Sequence, residues 1–138
     1  MSNAIVVGYD GSDGSKSALD EALAMAADLG CALSVVYSYD KVVVGGESHD
    51  LDDAVEAIGE GLLAEASQKA QAAGVEVSTQ FLEGPSAQTL SDVADQQAAR
   101  FIVVGSTGER PLKALVLGST ASKLLGLANR PVLVVRAN

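Results

Sequence analysis

The chain has one cysteine, Cys31, so no disulfide can form within it, and a reducing cytoplasm is the expected compartment. Basic residues are scarce as well: nine stand against eighteen acidic ones, a formal net charge of -9. A surface of that sign repels nucleic-acid phosphates and anionic lipid, so neither is an expected partner. An anionic small ligand would have to be held by local dipoles, by a few cations, or by a metal ion it brings with it. No uninterrupted apolar run approaches the roughly 20 residues of a membrane span. Residues 1–4 also lack the basic and long apolar segments of a secretory leader, so no membrane association is expected.

Two common nucleotide signatures are missing too. No Gly-x-Gly-x-x-Gly occurs, which argues against a dinucleotide site. "GSDGSKS", from Gly11 to Ser17, has the composition of a Walker A loop, but Ser15 rather than glycine precedes Lys16. A receiver-type phosphorylation site fares no better: the third strand-like run ends at Glu83 and the fifth at Arg136, where an Asp and a Lys would be needed.

What is present is a soluble globular composition, 48% hydrophobic and 20% charged, over 138 residues, the usual size of one domain. A single domain over residues 1–138 is expected. Ile5 to Val7 form a short apolar run closed by "GYDGSDGS", which supplies turn and capping residues. Ala18, Leu19, Ala22, Leu23, Met25 and Ala26 then recur at helical spacing over 15–29, with Gly30 placed as a C-terminal cap. "CALSVVYSY" reads as a second strand. Residues 40–49, with paired glycines and no steady period, read as a mobile loop in which Val42 to Val44 could pair briefly. A long helical pattern covers 50–73, with Asp50, Asp52 and Asp53 at its positive end; Gly59 and Gly61 weaken it by about 1 kcal/mol each. "VEVSTQFLEG" alternates like a strand, Pro85-Ser86 opens a helix to about residue 99, and "RFIVVGS" is a buried strand. A helix over about 119–128 and "VLVVR" close the chain.

Five strands alternating with four helices predict a parallel sheet in a three-layer α/β/α domain, because each crossover must return along a face of the sheet. The apolar cores "AIVV", "FIVV" and "VLVV" suit burial on both faces. In such sheets ligands bind beyond the carboxyl ends of the strands, where the winding direction reverses. Two strands, the first and the fourth, end in Gly-rich polar loops. If they are neighbours, the loops overlook one crevice.

The segment "GSTGERPLKALVLGST", residues 105–120, carries Gly-Ser-Thr at both ends. Gly105 and Gly108 let the backbone approach a ligand, Ser106 and Thr107 add hydroxyl donors, and Gly118, Ser119 and Thr120 open a helix whose first N–H groups are unpaired. That is phosphate-cradling chemistry, though each triplet alone is also an ordinary turn or cap. Arg110 and Lys113 lie between them, placed either to counter phosphate charge or simply to be solvated. His49 reads as an exposed loop residue, and Cys31 as a small core residue rather than a nucleophile.

The pattern Gly-x2-Gly-x9-Gly-Ser at Gly105, Gly108, Gly118 and Ser119 resembles the ATP-binding signature of the universal stress protein family. The likeness extends through "IVVGYDGSDGSKSALDEAL", "FLEGPSAQTLSDVADQQAARFIVVGS" and "NRPVLVVR", nearly the whole chain. It implies a five-stranded parallel sheet in the order 3-2-1-4-5, which sets strands 1 and 4 side by side. Carried over by position, it implies that Asp10, with Gly11 and Ser12 beside it, meets the ribose or adenine, and that Val36 lines the base pocket. Gly105, Thr107 and Gly108 would wrap ribose and phosphates, and Gly118, Ser119 and Thr120 would hold the phosphates. The expected ligand is ATP, with AMP or ADP as alternatives, accompanied by Mg2+ that no protein side chain clearly ligates. The resemblance also implies a homodimer through the last strand, Val132 to Arg136, an apolar edge that would otherwise invite aggregation.

The function so implied is a cytoplasmic, ATP-dependent regulatory or stress-response protein that is at most a slow ATPase: the nearby acids are only Asp10, Asp13 and Glu109, and no catalytic residue is assigned. An adenylyl-transferring or pyrophosphatase-type enzyme would need a Ser-Gly-Gly-x-Asp-Ser loop after strand 1, and "DGSDGSKS" shares its composition but not its order. A nucleotide-free dimeric scaffold is the third reading, with the glycines purely structural.

Overall fold

A computed structural model describes residues 3–40, 48–107 and 117–137. The chain runs β1 (Ala4–Gly8), α1 (Asp13–Leu29), β2 (Ala32–Tyr39), α2 (Ser48–Ala72), β3 (Val77–Glu83), α3 (Ser86–Gln97), β4 (Phe101–Gly105), α4 (Ser119–Leu127) and β5 (Val132–Val135). All neighbouring strands pair in parallel, in the order β3-β2-β1-β4-β5. The expected class and strand order are therefore observed. Helix boundaries differ from the expected ones by one or two residues, because the caps set them: α1 begins two residues early, where Ser12 caps it, and α2 takes in Ser48 and His49. Val42 to Val44, Gly108, Arg110 and Lys113 lie outside the described residues.

Side-chain alternation divides the core in two. Ile5, Val7, Leu33, Val35 and Val103 face α1 and α2, where Leu19, Ala22, Leu63 and Ala66 meet them. Val6, Val36, Ile102 and Val104 face α3 and α4, against Leu90, Val93, Ala94, Ala121 and Leu124. Burial of both sheet faces explains why β1 and β4 are continuously apolar. Cys31 is buried in the first of these clusters.

The two glycines inside α2 differ in kind. A Cβ on Gly61 would meet nothing within 4 Å, so its helical cost of about 1 kcal/mol has no visible return. A Cβ on Gly59 would lie 2.3 Å from Cε2 of Phe81. The bare backbone there lets α2 settle on an aromatic ladder in which Phe81 stacks on Tyr37 at 5.4 Å and on Tyr39 at 4.8 Å between ring centroids.

Candidate functional site

The strands adjoining β1 both reach beyond it. β1 pairs with β2 up to Gly8–Val36, while β2 runs on to Tyr39; on the other side β4 continues to Gly105. A cleft of about 600 Å³ opens above the end of β1 between these walls. That volume is within the ~300–1,000 Å³ of small-molecule sites. Its floor holds Gly8, Tyr9 and Asp10, with Val36, Leu90 and Val104 as apolar lining. The floor is tight: a Cβ on Gly8 would come within 2.9 Å of Leu90 Cδ1. Of the residues singled out from the sequence, Asp10, Ser12, Val36, Gly105, Thr107, Gly118, Ser119 and Thr120 all line this one cleft.

Gly11 and Ser106 are not among the lining residues, and each has a structural task instead. Gly11 adopts φ +82, a left-handed turn that favours glycine, and packs against Leu62. Ser106 ties three elements together: its N–H donates to the Val135 carbonyl at 2.8 Å, and its own carbonyl accepts the Gly118 N–H at 2.6 Å. The two Gly-Ser-Thr triplets are thus joined directly, backbone to backbone.

The N-termini of α1 and α4 are satisfied differently. α1 is capped from within: the Ser15 N–H donates to Ser12 Oγ at 3.2 Å, and the Ser12 N–H donates to Asp10 Oδ1 at 2.9 Å. The Ser12 hydroxyl also donates to Asp10 Oδ1. One carboxylate oxygen of Asp10 is thereby fixed, and the other has no partner among the described residues. α4 is preceded by its N-cap residue Gly118, in an extended conformation with no side-chain cap. Its first-turn N–H groups point out of the helix without intrahelical partners, and the helix dipole makes that end positive. An anion is suited to α4 rather than α1.

Close backbone packing holds the two loops at this distance. A Cβ on Gly14 would lie 2.2 Å from the Thr107 carbonyl oxygen, and one on Gly105 would lie 2.6 Å from the Gly14 carbonyl carbon. Sequence reading passed over Gly14, although a glycine in the first turn of a helix was a signal of close approach. It also passed over Ser38 and Asp40, which period-two alternation from Val36 places on the same side of β2, and Ser86, which only the docking of α3 brings to the cleft.

The charges lining the cleft among the described residues are the carboxylates of Asp10 and Asp40; no Lys, Arg or His contributes. No group of three or more potential metal-ligating side chains exists among the described residues. The Tyr9 hydroxyl is buried without a hydrogen-bond partner among the described residues. Burial, and after it the carboxylates of Glu65, Asp20 and Asp10, pushes its pKa up, so the phenol stays neutral.

A parallel α/β/α sheet with a cleft at its topological switch point defines a doubly wound α/β protein. More particularly, the chain belongs to the universal stress protein family, whose model matches residues 1–136. It is 34% identical over 148 residues to universal stress protein YxiE of Bacillus subtilis, an alignment covering 99% of this chain and 100% of the relative. It is also similar to a universal stress protein solved in complex with cAMP, with a TM-score of 0.79, 28% identity, and coverage of 99% of this chain and 98% of that one. The universal stress protein from Archaeoglobus fulgidus solved in complex with dAMP gives a TM-score of 0.72 at 28% identity, over 95% of each chain. No helix among the described residues is long and apolar enough to cross a membrane.

Proposed function

We propose that this chain binds an adenine nucleotide, ATP foremost, and acts in the cytoplasm as a nucleotide-dependent regulatory protein of the stress response. The observation that carries the reading is the pair of Gly-Ser-Thr segments, joined through the Ser106 carbonyl and the Gly118 N–H, that sets the uncapped start of α4 over a mononucleotide-sized cleft. In this reading Gly118, Ser119 and Thr120 hold phosphates and Gly105 and Thr107 flank the ribose. Asp10 receives a ribose hydroxyl on its unpartnered oxygen, and the base lies against Val36. Gly11 and Ser106 set the backbone for these contacts; Gly108 and Arg110, which the sequence assigns to the phosphates, lie outside the described residues. The cAMP and dAMP complexes of similar proteins support an adenine nucleotide as the ligand class. Hydrolysis is slow at most: Asp10 is engaged by Ser12, and Asp13 is exposed on α1.

Mg2+ enters on the phosphates and offsets the repulsion between the triphosphate and the carboxylates of Asp10 and Asp40. The test is mass spectrometry of ligand released from freshly purified protein, followed by calorimetric titration with ATP with and without Mg2+. Adenine nucleotide is expected to copurify, and removal of Mg2+ to weaken ATP binding on the order of tenfold. Folded protein that is empty and ignores added ATP would overturn the reading.

The partner proposed with it is a second copy. β5 is an edge strand of four half-buried apolar residues, and the neighbouring α4 exposes 56% of Leu125 and 37% of Leu127. Pairing through Val132 to Arg136 would cover an edge that otherwise templates aggregation. Light scattering at micromolar concentration should give twice the 14.0 kDa chain mass, and a monomer would remove the dimer.

A further inference from the structure

The taller wall of the cleft is the overhang of β2. Past the Gly8–Val36 pair, Tyr37, Ser38 and Tyr39 keep β3 as their strand neighbour among the described residues, and Asp40 follows at the strand's end, still lining the cleft. Alternation sets Val36, Ser38 and Asp40 on one side, the side where Val36 packs in the cluster of Leu90 and Val104. Rising from the floor, this side offers an apolar residue, then a hydroxyl, then a carboxylate.

The hydroxyl and the carboxylate differ in what they accept. Ser38 Oγ donates to Ser86 Oγ at 2.8 Å, and a pair of hydroxyls can turn either a donor or an acceptor to a ligand. The Asp40 carboxylate is exposed and has no hydrogen-bond or ion-pair partner among the described residues. A carboxylate accepts only. With phosphates drawn to α4 on the β4 side, the base of a nucleotide would lie toward β2, with its outer edge toward this acceptor. At position 6 adenine offers an amino group, whereas hypoxanthine and guanine offer there a carbonyl oxygen whose lone pairs would face those of the carboxylate, their N1–H donor lying one ring atom further along the edge.

We propose that Asp40 is a specificity-determining residue that accepts a hydrogen bond from the exocyclic 6-amino group of a purine nucleotide and rejects 6-oxo purines. This rests on the nucleotide reading above. The test is calorimetric titration of the wild type, Asp40→Asn and Asp40→Ala with Mg-ATP and with Mg-ITP, which differs from ATP in the base edge at positions 1 and 6. The wild type is expected to favour ATP by about tenfold or more, the usual scale for a hydrogen bond to a charged group. Asp40→Asn, whose amide can present either its oxygen or its nitrogen, should bring the ratio close to one, chiefly by gaining affinity for ITP. Asp40→Ala should narrow the ratio mainly by losing affinity for ATP. An unchanged ratio in both variants, with ATP still bound, overturns the role of Asp40 and leaves the nucleotide reading standing. A folded wild type that binds neither nucleotide overturns both.

Discussion

Gly105→Ala is expected to lower the melting temperature by roughly 10 °C and to abolish measurable nucleotide binding. The added methyl would lie 2.6 Å from the carbonyl carbon of Gly14, 2.7 Å from its oxygen and 3.0 Å from its Cα. These are backbone atoms at the buried start of a helix, so no side chain can swing aside. Relief requires α1 and β4 to move apart, the kind of overpacking that costs about 3 kcal/mol, or roughly 10 °C in a domain of this size. That movement would carry Thr107 away from the cleft it lines, which is why affinity and stability should fall together. Gly14→Ala strikes the same junction from the other side, 2.2 Å from the Thr107 oxygen, so the double variant should cost clearly less than the sum of the singles. Gly61→Ala is the control: an alanine in an open helical position should raise stability by about 1 kcal/mol and leave binding alone. Thermal unfolding of the four variants, alongside ATP titration, decides the matter. A Gly105→Ala protein as stable as the parent would mean that the loops are not held by this contact.

The double change Gly118→Ala with Ser119→Ala should give the opposite profile, with ATP affinity reduced about a hundredfold and the fold intact. Gly118 has φ -63 and ψ 163, an extended conformation open to any residue, so alanine there is not strained. The Gly118 N–H keeps its bond to Ser106, and replacing a glycine N-cap by alanine costs less than about 1 kcal/mol. What changes is the face toward the cleft: a methyl enters at Gly118 and a hydroxyl leaves at Ser119, both lining residues at the positive end of α4. Losing one charge-assisted contact and hindering the approach to others accounts for the expected hundredfold, about 2.7 kcal/mol. Calorimetry with a circular dichroism control is sufficient. Undiminished ATP binding by the folded variant would reduce the second triplet to a helix cap.

Comparison of these two sites shows what the sequence made legible. The order of elements and both loops could be read because each depends on local chemistry: period-two runs, a helical stripe at Ala18, Leu19, Ala22 and Leu23, and glycines at turns. The neighbourhood of strands 1 and 4, implied by family resemblance, is the observed one. Roles inside the triplets were less visible. Ser106 and Thr107 look alike in the sequence, yet one bonds β5 and Gly118 through its backbone while the other lines the cleft. Nothing local distinguishes them, because the difference comes from the register of β4 against β5. Gly59 and Gly61 are a similar pair: two residues apart on α2, one lies against Phe81 and the other faces open space. Ser86 joins the cleft only because α3 docks with its first turn beside Ser38, a placement fixed by tertiary packing.

The backbone of Ser106 has a thermodynamic implication. Its N–H is held by the last residue of the edge strand β5 and its carbonyl by the N-cap residue of the helix that faces the cleft. A strand laid along the free side of β5 and an anion settled at the start of α4 would therefore both act on the position of a single residue, through the two amides that flank it. By linkage, whatever factor one of them adds to the affinity of the other must be returned in equal measure. Subunit assembly and ligand occupancy would then be two readings of one equilibrium.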